Sequence, residues 1–261
     1  MPPVLARRRQ EHILEAIRTG GEARVSDLIE VLGVSDMTIR RDLDTLAARG
    51  LVARVHGGAT GLPATSSTHE PGFTVKSALH SAEKVAIARA AAALVAPGSA
   101  VALSGGTTTF ALARELCSVP DLTVVTNSLP AHRLLSEAGR TDLTVVLTGG
   151  VQTPSHALVG PVAVAALGSL HTDWLFLGVH GFDARAGLTT PTLAEADTDR
   201  ALVACARRLV VLADSTKWDV VGLATIALLD EVDVLVTDTG LDDAGRAAVT
   251  TEVSRLVLTA P

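Results

Sequence analysis

Two adjacent arginines, Arg40 and Arg41, follow Met37 and Thr38 in the run Val34-Ser35-Asp36-Met37-Thr38-Ile39-Arg40-Arg41-Asp42-Leu43. Guanidinium groups pair with phosphates and with guanine edges, and small apolar groups pack on the thymine methyl, so this cluster has the chemistry of duplex recognition. Ile39, Leu43 and Leu46 recur at spacings of four and three. That periodicity predicts a helix held from behind by an apolar face, with Met37, Thr38, Arg40, Arg41 and Asp44 turned outward. Asp42 is expected to orient a neighbouring arginine rather than touch a base.

A second set of residues suits the binding of an oxyanion. It comprises Ser104-Gly105-Gly106-Thr107-Thr108-Thr109, Thr126-Asn127-Ser128, Thr148-Gly149-Gly150, Gly178-Val179-His180-Gly181 and Asp214-Ser215-Thr216-Lys217. The first run leads into a helical pattern, so backbone N–H groups, threonine hydroxyls and the helix dipole can cradle a phosphate. No Gly-Lys-Ser/Thr follows it and the GxGxxG spacing is missing, which excludes a P-loop and a dinucleotide fingerprint. One Gly-Gly-Thr turn is an ordinary strand-to-helix connection, whereas five polar loops after five apolar runs call for a shared purpose. Lys217, one of only three lysines, either supplies positive charge to a ligand or sits on the surface at a strand end. Glu195 either complements a helix dipole or contacts the ligand. His180 and His156 either do the same or only hydrogen-bond backbone.

These side chains need elements to position them. Val25, Leu28, Ile29 and Leu32 outline a short helix, Gly33-Val34-Ser35 turns the chain, and Ser35 is placed to cap the arginine-bearing helix. Gly50 stops that helix, and Leu51 to His56 followed by Gly57-Gly58 reads as a strand and turn, a wing that carries Arg54 and His56. Ala59 to Gly72, rich in Thr, Ser, Pro and Gly, is a linker. From Phe73 onward, helical stretches (81–95, 107–116, 129–138, 161–170, 193–207) alternate with apolar runs at 100–103, 122–125, 143–147, 174–177, 209–212 and 232–236. Runs apolar on both faces and separated by helices are strands of a parallel sheet covered on both sides. The fold class is α/β, divided as a winged helix-turn-helix over 1–58, a linker over 59–72 and an α/β domain over 73–261.

Composition fits two domains of an ordinary globular chain: 261 residues, of which 48% are hydrophobic. Aromatics are scarce at 2%, which argues against modules that stack single-stranded bases. Cys117 and Cys205 lie far apart with no Cys or His partner at ligand spacing, so neither a zinc site nor a disulfide framework is expected. No cofactor is implied. With no apolar leader at the N-terminus and no apolar span, the chain is expected to act in the cytoplasm with no membrane partner. The net charge of −6 is unevenly divided: residues 1–58 hold nine arginines against eight acids, and the rest hold thirteen basic against twenty acidic residues. An acidic body repels DNA, so binding must rest on the local arginine patch and on pairing two copies.

Over nearly its whole length the chain resembles the DeoR family of transcriptional regulators. The segments that carry the likeness are Val34-Ser35-x-x-Thr38-Ile39-Arg40-Arg41-Asp42-Leu43, Arg54-Val55-His56-Gly57-Gly58-Ala59, Glu83-Lys84-x-x-Ile87-Ala88, Gly106-Thr107-Thr108, Val125-Thr126-Asn127-Ser128, Leu147-Thr148-Gly149-Gly150, Gly187-Leu188-Thr189-Thr190, Glu195-Ala196 and Leu212-Ala213-Asp214-Ser215-Thr216-Lys217. The resemblance implies an N-terminal winged helix and a C-terminal sensor similar to ribose-5-phosphate isomerase and the CoA transferases. It also implies repression gated by a phosphorylated sugar or related metabolite. Departures are Ser104-Gly105 where the family commonly has Asp-Ser, Arg24 where a capping Ser is common, and Lys76 where an Arg is common.

On this reading the partners are double-stranded operator DNA, a phosphorylated effector and a second copy of the chain. The DNA-contacting residues are Ser35, Met37, Thr38, Arg40, Arg41, Arg54 and His56. The effector residues are Gly105, Gly106, Thr107, Thr108, Thr109, Thr126, Asn127, Gly149, Gly150, His180, Glu195 and Lys217. Two other classes compete, an isomerase with an accessory DNA-binding domain and an architectural DNA binder whose second domain only dimerises. An isomerase needs a positioned base, and Leu177-Gly178-Val179-His180 offers no carboxylate.

Overall fold

The computed structural model describes residues 6–20, 22–48, 51–55, 57–60 and 73–261. The chain divides into two compact units, Met1–Ala64 and Thr65–Pro261. In the first unit α1 (Ala6–Gly20), β1 (Glu22–Arg24), α2 (Val25–Leu32) and α3 (Asp36–Ala48) precede the hairpin of β2 (Ala53–Val55) and β3 (Gly58–Thr60). β3 lies between β1 and β2, antiparallel to both. Ala59 and Thr60, assigned to the linker from composition, therefore belong to this small sheet, and β1 is a strand that the sequence pattern does not announce. Gly50, His56 and most of the linker lie outside the described residues.

The helix pair forms as its periodicity dictates. Gly33 ends α2 at φ +64°, a left-handed conformation that costs glycine nothing, and the Ser35 hydroxyl accepts the Thr38 N–H at 3.3 Å. Ile39, Leu43 and Leu46 are fully buried where α3 packs on α1 and α2, helices whose Ile13, Ile17, Val25 and Leu28 are buried as well. Arg24 precedes α2 without a side-chain cap.

The second unit opens with α4 (Phe73–Ala78) and α5 (Ser81–Ala92), then β4 (Ala100–Leu103), α6 (Thr107–Leu116), β5 (Leu122–Thr126), α7 (Leu129–Ser136) and β6 (Leu143–Leu147). The short pair β7 (Val151–Gln152) and β8 (Leu158–Val159) leads to α8 (Pro161–Leu167) and β9 (Trp174–Gly178). Then follow β10 (Gly181–Asp183), β11 (Gly187–Thr190), α9 (Leu193–Cys205), β12 (Leu209–Leu212), β13 (Ala224–Ala227), β14 (Val234–Asp238), α10 (Asp243–Glu252) and β15 (Leu256–Thr259). Seven strands form one parallel sheet in the order β15-β14-β12-β9-β4-β5-β6. All six apolar runs read as strands are in it. The seventh strand and α10 were not anticipated, nor were the antiparallel sheet β10-β11-β13 and the pair β7-β8.

Successive strand residues serve opposite faces. Phe176, Val210 and Leu212 pack with Ile87, Leu112 and Leu135 of α5, α6 and α7, whereas Leu175, Leu177, Leu209 and Val211 pack with Leu167, Leu202 and Val249 of α8, α9 and α10. Burying both faces is what makes these strands uniformly apolar. In chain order β4 leads outward to β5 and β6, and the chain then returns to the other side of β4 as β9. The carboxyl ends of β4 and β9 thus flank the topological switch point, where open α/β sheets bind ligands.

Candidate functional site

In the first unit the outward face of α3 carries Met37, 79% exposed, with the exposed Arg40, Arg41, Asp44 and Thr45. Ser35 and Thr38 sit at its start, their hydroxyls 2.9 Å apart. Arg40 Nε pairs with Asp36 at 2.6 Å, one turn back, and Asp36 raises its already high pKa. Arg54 reaches from β2 to Asp44 at 3.0 Å and donates to the Gly58 carbonyl at 2.8 Å, fixing the hairpin against α3. The residues read as DNA-contacting, His56 aside, therefore lie on α3 and the adjoining wing. Asp42 turns the other way: it is buried and accepts from Arg9 Nε and, at 3.1 Å, from Gln10 Nε2 of α1. The arginine it orients is the distant Arg9, not its neighbours.

In the second unit, loops from β5, β4, β9 and β12, with α9 and the α4–α5 corner, enclose a cavity of about 150 Å³. The β4 loop passes under it. Gly105 donates its N–H to Asn127 Oδ1 at 2.7 Å, and a Cβ there would come within 2.5 Å of the Ala157 Cβ, so only glycine fits. Gly106 precedes α6 with no side-chain cap, leaving the helix N-terminus at Thr107 and Thr108 directed to the cavity. Across the switch point the Gly178 N–H donates to the Ser104 hydroxyl at 2.9 Å. Beyond β12, Asp238 accepts from the Ser215 N–H at 2.7 Å and its hydroxyl at 2.8 Å, which sets the short turn that delivers Asp214, Thr216 and Lys217.

Eight residues read as effector-binding line this cavity: Gly105, Gly106, Thr107, Thr108, Asn127, His180, Glu195 and Lys217. Four others do not. Thr109 is fully buried and donates to the Ser104 carbonyl at 2.8 Å, and Thr126 donates to the Leu103 carbonyl at 2.8 Å. Both hydroxyls fasten the loops from below. Gly149 and Gly150 follow β6, the sheet edge two strands from β4, and pack against Val162 and Val159. His156 is also outside, its ring beside Phe73 and 2.6 Å from Gln152 Nε2.

The effector set read from sequence omits Lys76, His80 and Lys84 on the α4–α5 corner, together with Ser155, Thr190 and Asp199, while Asp214, named there only within the polar loop of Lys217, also lines the cavity. A signal was there: the chain has three lysines, and all three, Lys76, Lys84 and Lys217, line this one cavity. Lys84 is buried, and its Nζ donates to the carbonyls of Lys76 at 2.5 Å and Leu79 at 2.6 Å. Burial lowers its pKa to about 8 against the opposing pull of Asp214, with Lys217 and Lys76 lowering it further. The same cavity wall holds the buried carboxylates Glu195, Asp199 and Asp214, the last beside the lysines in the turn that carries Lys217. Glu195 Oε2 accepts from Thr190 at 3.0 Å and Thr192 at 3.2 Å, and its N–H donates to the Thr192 hydroxyl, so it both begins α9 and faces the cavity. The strand end at Gly178 carries no acid, yet the cavity holds three from other elements. Cations, helix N–H groups and carboxylates gathered on one cavity suit a ligand that carries both an anionic group and hydroxyls. Among the described residues there is no acid, histidine or cysteine cluster fit to hold a metal, and no helix long and apolar enough to cross a membrane.

Two family models match the chain, the DeoR-like helix-turn-helix domain over residues 9–63 and the DeoR C-terminal sensor domain over residues 79–239. The uncharacterized HTH-type transcriptional regulator YgbI of Escherichia coli strain K12 is 37% identical, covering 95% of this chain and 96% of its own. The HTH-type transcriptional regulator GlpR of Haloferax volcanii is 36% identical, covering 94% and 95%. The HTH-type transcriptional repressor CsqR of Escherichia coli strain K12 is 30% identical, covering 88% and 87%. Among solved structures, a ribose 5-phosphate isomerase from Methanocaldococcus jannaschii is 19% identical, covering 52% of this chain and 53% of its own with a TM-score of 0.38. With a helix-turn-helix of the matching type, a sensor domain of the matching type and regulators aligned across both, the chain belongs to the DeoR family of DNA-binding transcriptional regulators.

Proposed function

We propose that the protein is a cytoplasmic repressor of carbohydrate-catabolism genes whose operator affinity is set by a phosphorylated sugar or related metabolite in the second unit. The observation that carries this reading is the convergence of all three lysines and the uncapped start of α6 on one cavity, together with Glu195, Asp199 and Asp214. A phosphate pairs with the cations and N–H groups, and sugar hydroxyls donate to the carboxylates. The protein works as a homo-oligomer paired through the second unit, because one small winged helix with so slight a positive balance is a weak specific binder. Effector and operator are linked because the effector binds unequally to two arrangements of the protein. Thermal-shift screening of phosphorylated metabolites, followed by operator binding with each hit, tests it. A flat screen would favour the architectural reading.

The isomerase reading draws on the same three carboxylates. Against it, Glu195 has its oxygens engaged by Thr190, Thr192 and, at 3.5 Å, Ser155, an arrangement that holds a carboxylate still rather than freeing it to take a proton from carbon. We read the protein as a sensor that binds without turnover. NMR of the screened ligand incubated with purified protein decides: conversion above background makes it an enzyme.

A further inference from the structure

Lys84 stands apart from the other cavity cations because it is buried and its contacts hold backbone. Its Nζ binds the carbonyls of Lys76 and Leu79, so one ammonium clamps the end of α4 and the turn that follows. That same corner supplies Lys76, Leu79, His80 and Lys84 to the cavity wall. The opposite end of α4 is fastened by Phe73, whose ring meets Phe110 edge-on at 5.4 Å. Phe110 belongs to α6, the helix whose N-terminus faces the cavity. In the chain, α4 is also the first element after the segment 61–72 that leads from the winged helix.

The clamp is electrostatically burdened. Burial most disfavours the charge on Lys84, Asp214 and Glu83 favour it, and Lys217 and Lys76 add repulsion to the burial. An anion placed among the three ammoniums removes that repulsion, strengthens the clamp and steadies α4. We infer that Lys84 is a positioning residue that converts anion occupancy of the cavity into order along residues 73–84, the stretch through which the sensor reaches the linker. The inference rests on the anion-sensing reading of the same cavity, and it assigns the coupling to a residue that need not touch the sugar.

Hydrogen–deuterium exchange of the full-length protein tests it, with inorganic phosphate as the probe against chloride at equal ionic strength. The expected result is that phosphate slows exchange over residues 73–84 roughly tenfold as well as over the start of α6. Lys84→Met should abolish the slowing at 73–84. Phe73→Ala, outside the cavity and spared the risk of unfolding that attends loss of a buried charge, should bind phosphate within about twofold of wild type by calorimetry yet lose the added protection at 73–84. Restored protection in Lys84→Arg but not in Lys84→Met would tie the effect to the cation. Phosphate binding with protection confined to α6, or unchanged protection of 73–84 in both Lys84→Met and Phe73→Ala, overturns the inference and leaves the sensor reading standing. No protection anywhere in wild type at tens of millimolar phosphate overturns both.

Discussion

The Gly178 amide donates to the Ser104 hydroxyl at 2.9 Å, joining the carboxyl ends of β9 and β4 across the point where the strand order reverses. Ser104 is almost fully buried, and removing its hydroxyl takes from the Gly178 N–H the partner that ties the two strand ends together. Ser104→Ala should therefore destabilise the second unit by about 1–3 kcal/mol and weaken ligand affinity by loosening both loops. Calorimetric melting of the variant, with phosphate titration on the same sample, checks the two effects together.

Arg40→Ala and Arg41→Ala should weaken operator binding without changing fold or oligomeric state. The Arg40–Asp36 pair is half exposed and screened by solvent, so breaking it to meet DNA costs little beside the gain from a base or phosphate contact. A base contact is worth about 1–3 kcal/mol and relaxes specificity at one position, while a phosphate contact weakens all sequences alike and reduces the salt slope by about 1. Anisotropy titrations at several salt concentrations distinguish these, and unchanged affinity in both variants would remove the pair from the interface.

Asp42→Ala should unfold the winged helix selectively. With its carboxylate gone, the Arg9 guanidinium is left in a site where only 11% of that side chain is exposed, a loss of about 3–5 kcal/mol. The expected thermogram shows a collapse of the transition of the first unit with that of the second unmoved.

Binding of a phosphomonoester should have a bell-shaped pH dependence. On the acid side it rises as the phosphate takes its second charge near pH 6. On the alkaline side it falls as Lys84, facing Lys76, Lys217, Asp214 and Glu83, loses its proton near pH 8. The linkage to folding has the opposite sign on that limb. Because the pKa is lowered from 10.5, the folded chain binds fewer protons there than the unfolded chain, so this group adds stability as pH rises from about 8 to about 10.5. Calorimetric affinities from pH 5 to 9 check the bell, and a flat alkaline limb in wild type would contradict the placement of Lys84 beside the anion.

Lys217→Ala should abolish the response of operator binding to effector while leaving effector-free DNA affinity at the wild-type value, since Lys217 lies in the second unit. Thr107→Val, which removes one hydroxyl at nearly constant volume, should lower effector affinity roughly 5- to 30-fold, the equivalent of one lost hydrogen bond of about 1–2 kcal/mol. Operator titrations with and without a screened ligand give both numbers.

What sequence alone determined is what short-range physics writes into a chain. The Ile39-Leu43-Leu46 spacing and the Ser35 cap specify α3 and its outward arginines, because helix periodicity and capping act over a few residues. Apolar runs between helices specify a buried parallel sheet, and the ends of strands in such a sheet are where polar loops collect. Tertiary structure alone decided which of those loops meet. The strand order places the ends of β5, β4, β9 and β12 side by side and sends the β6 end, with Gly149 and Gly150, to the sheet edge. It also buried Thr109 and Thr126 beneath the site, gave Asp42 a partner in Arg9 thirty-three residues away, and brought Lys76 and Lys84 to the cavity wall. The Thr126–Leu103 and Arg9–Asp42 pairings join residues far apart in the chain, and contacts of that kind are fixed by the packing of whole elements, which no spacing within one element encodes.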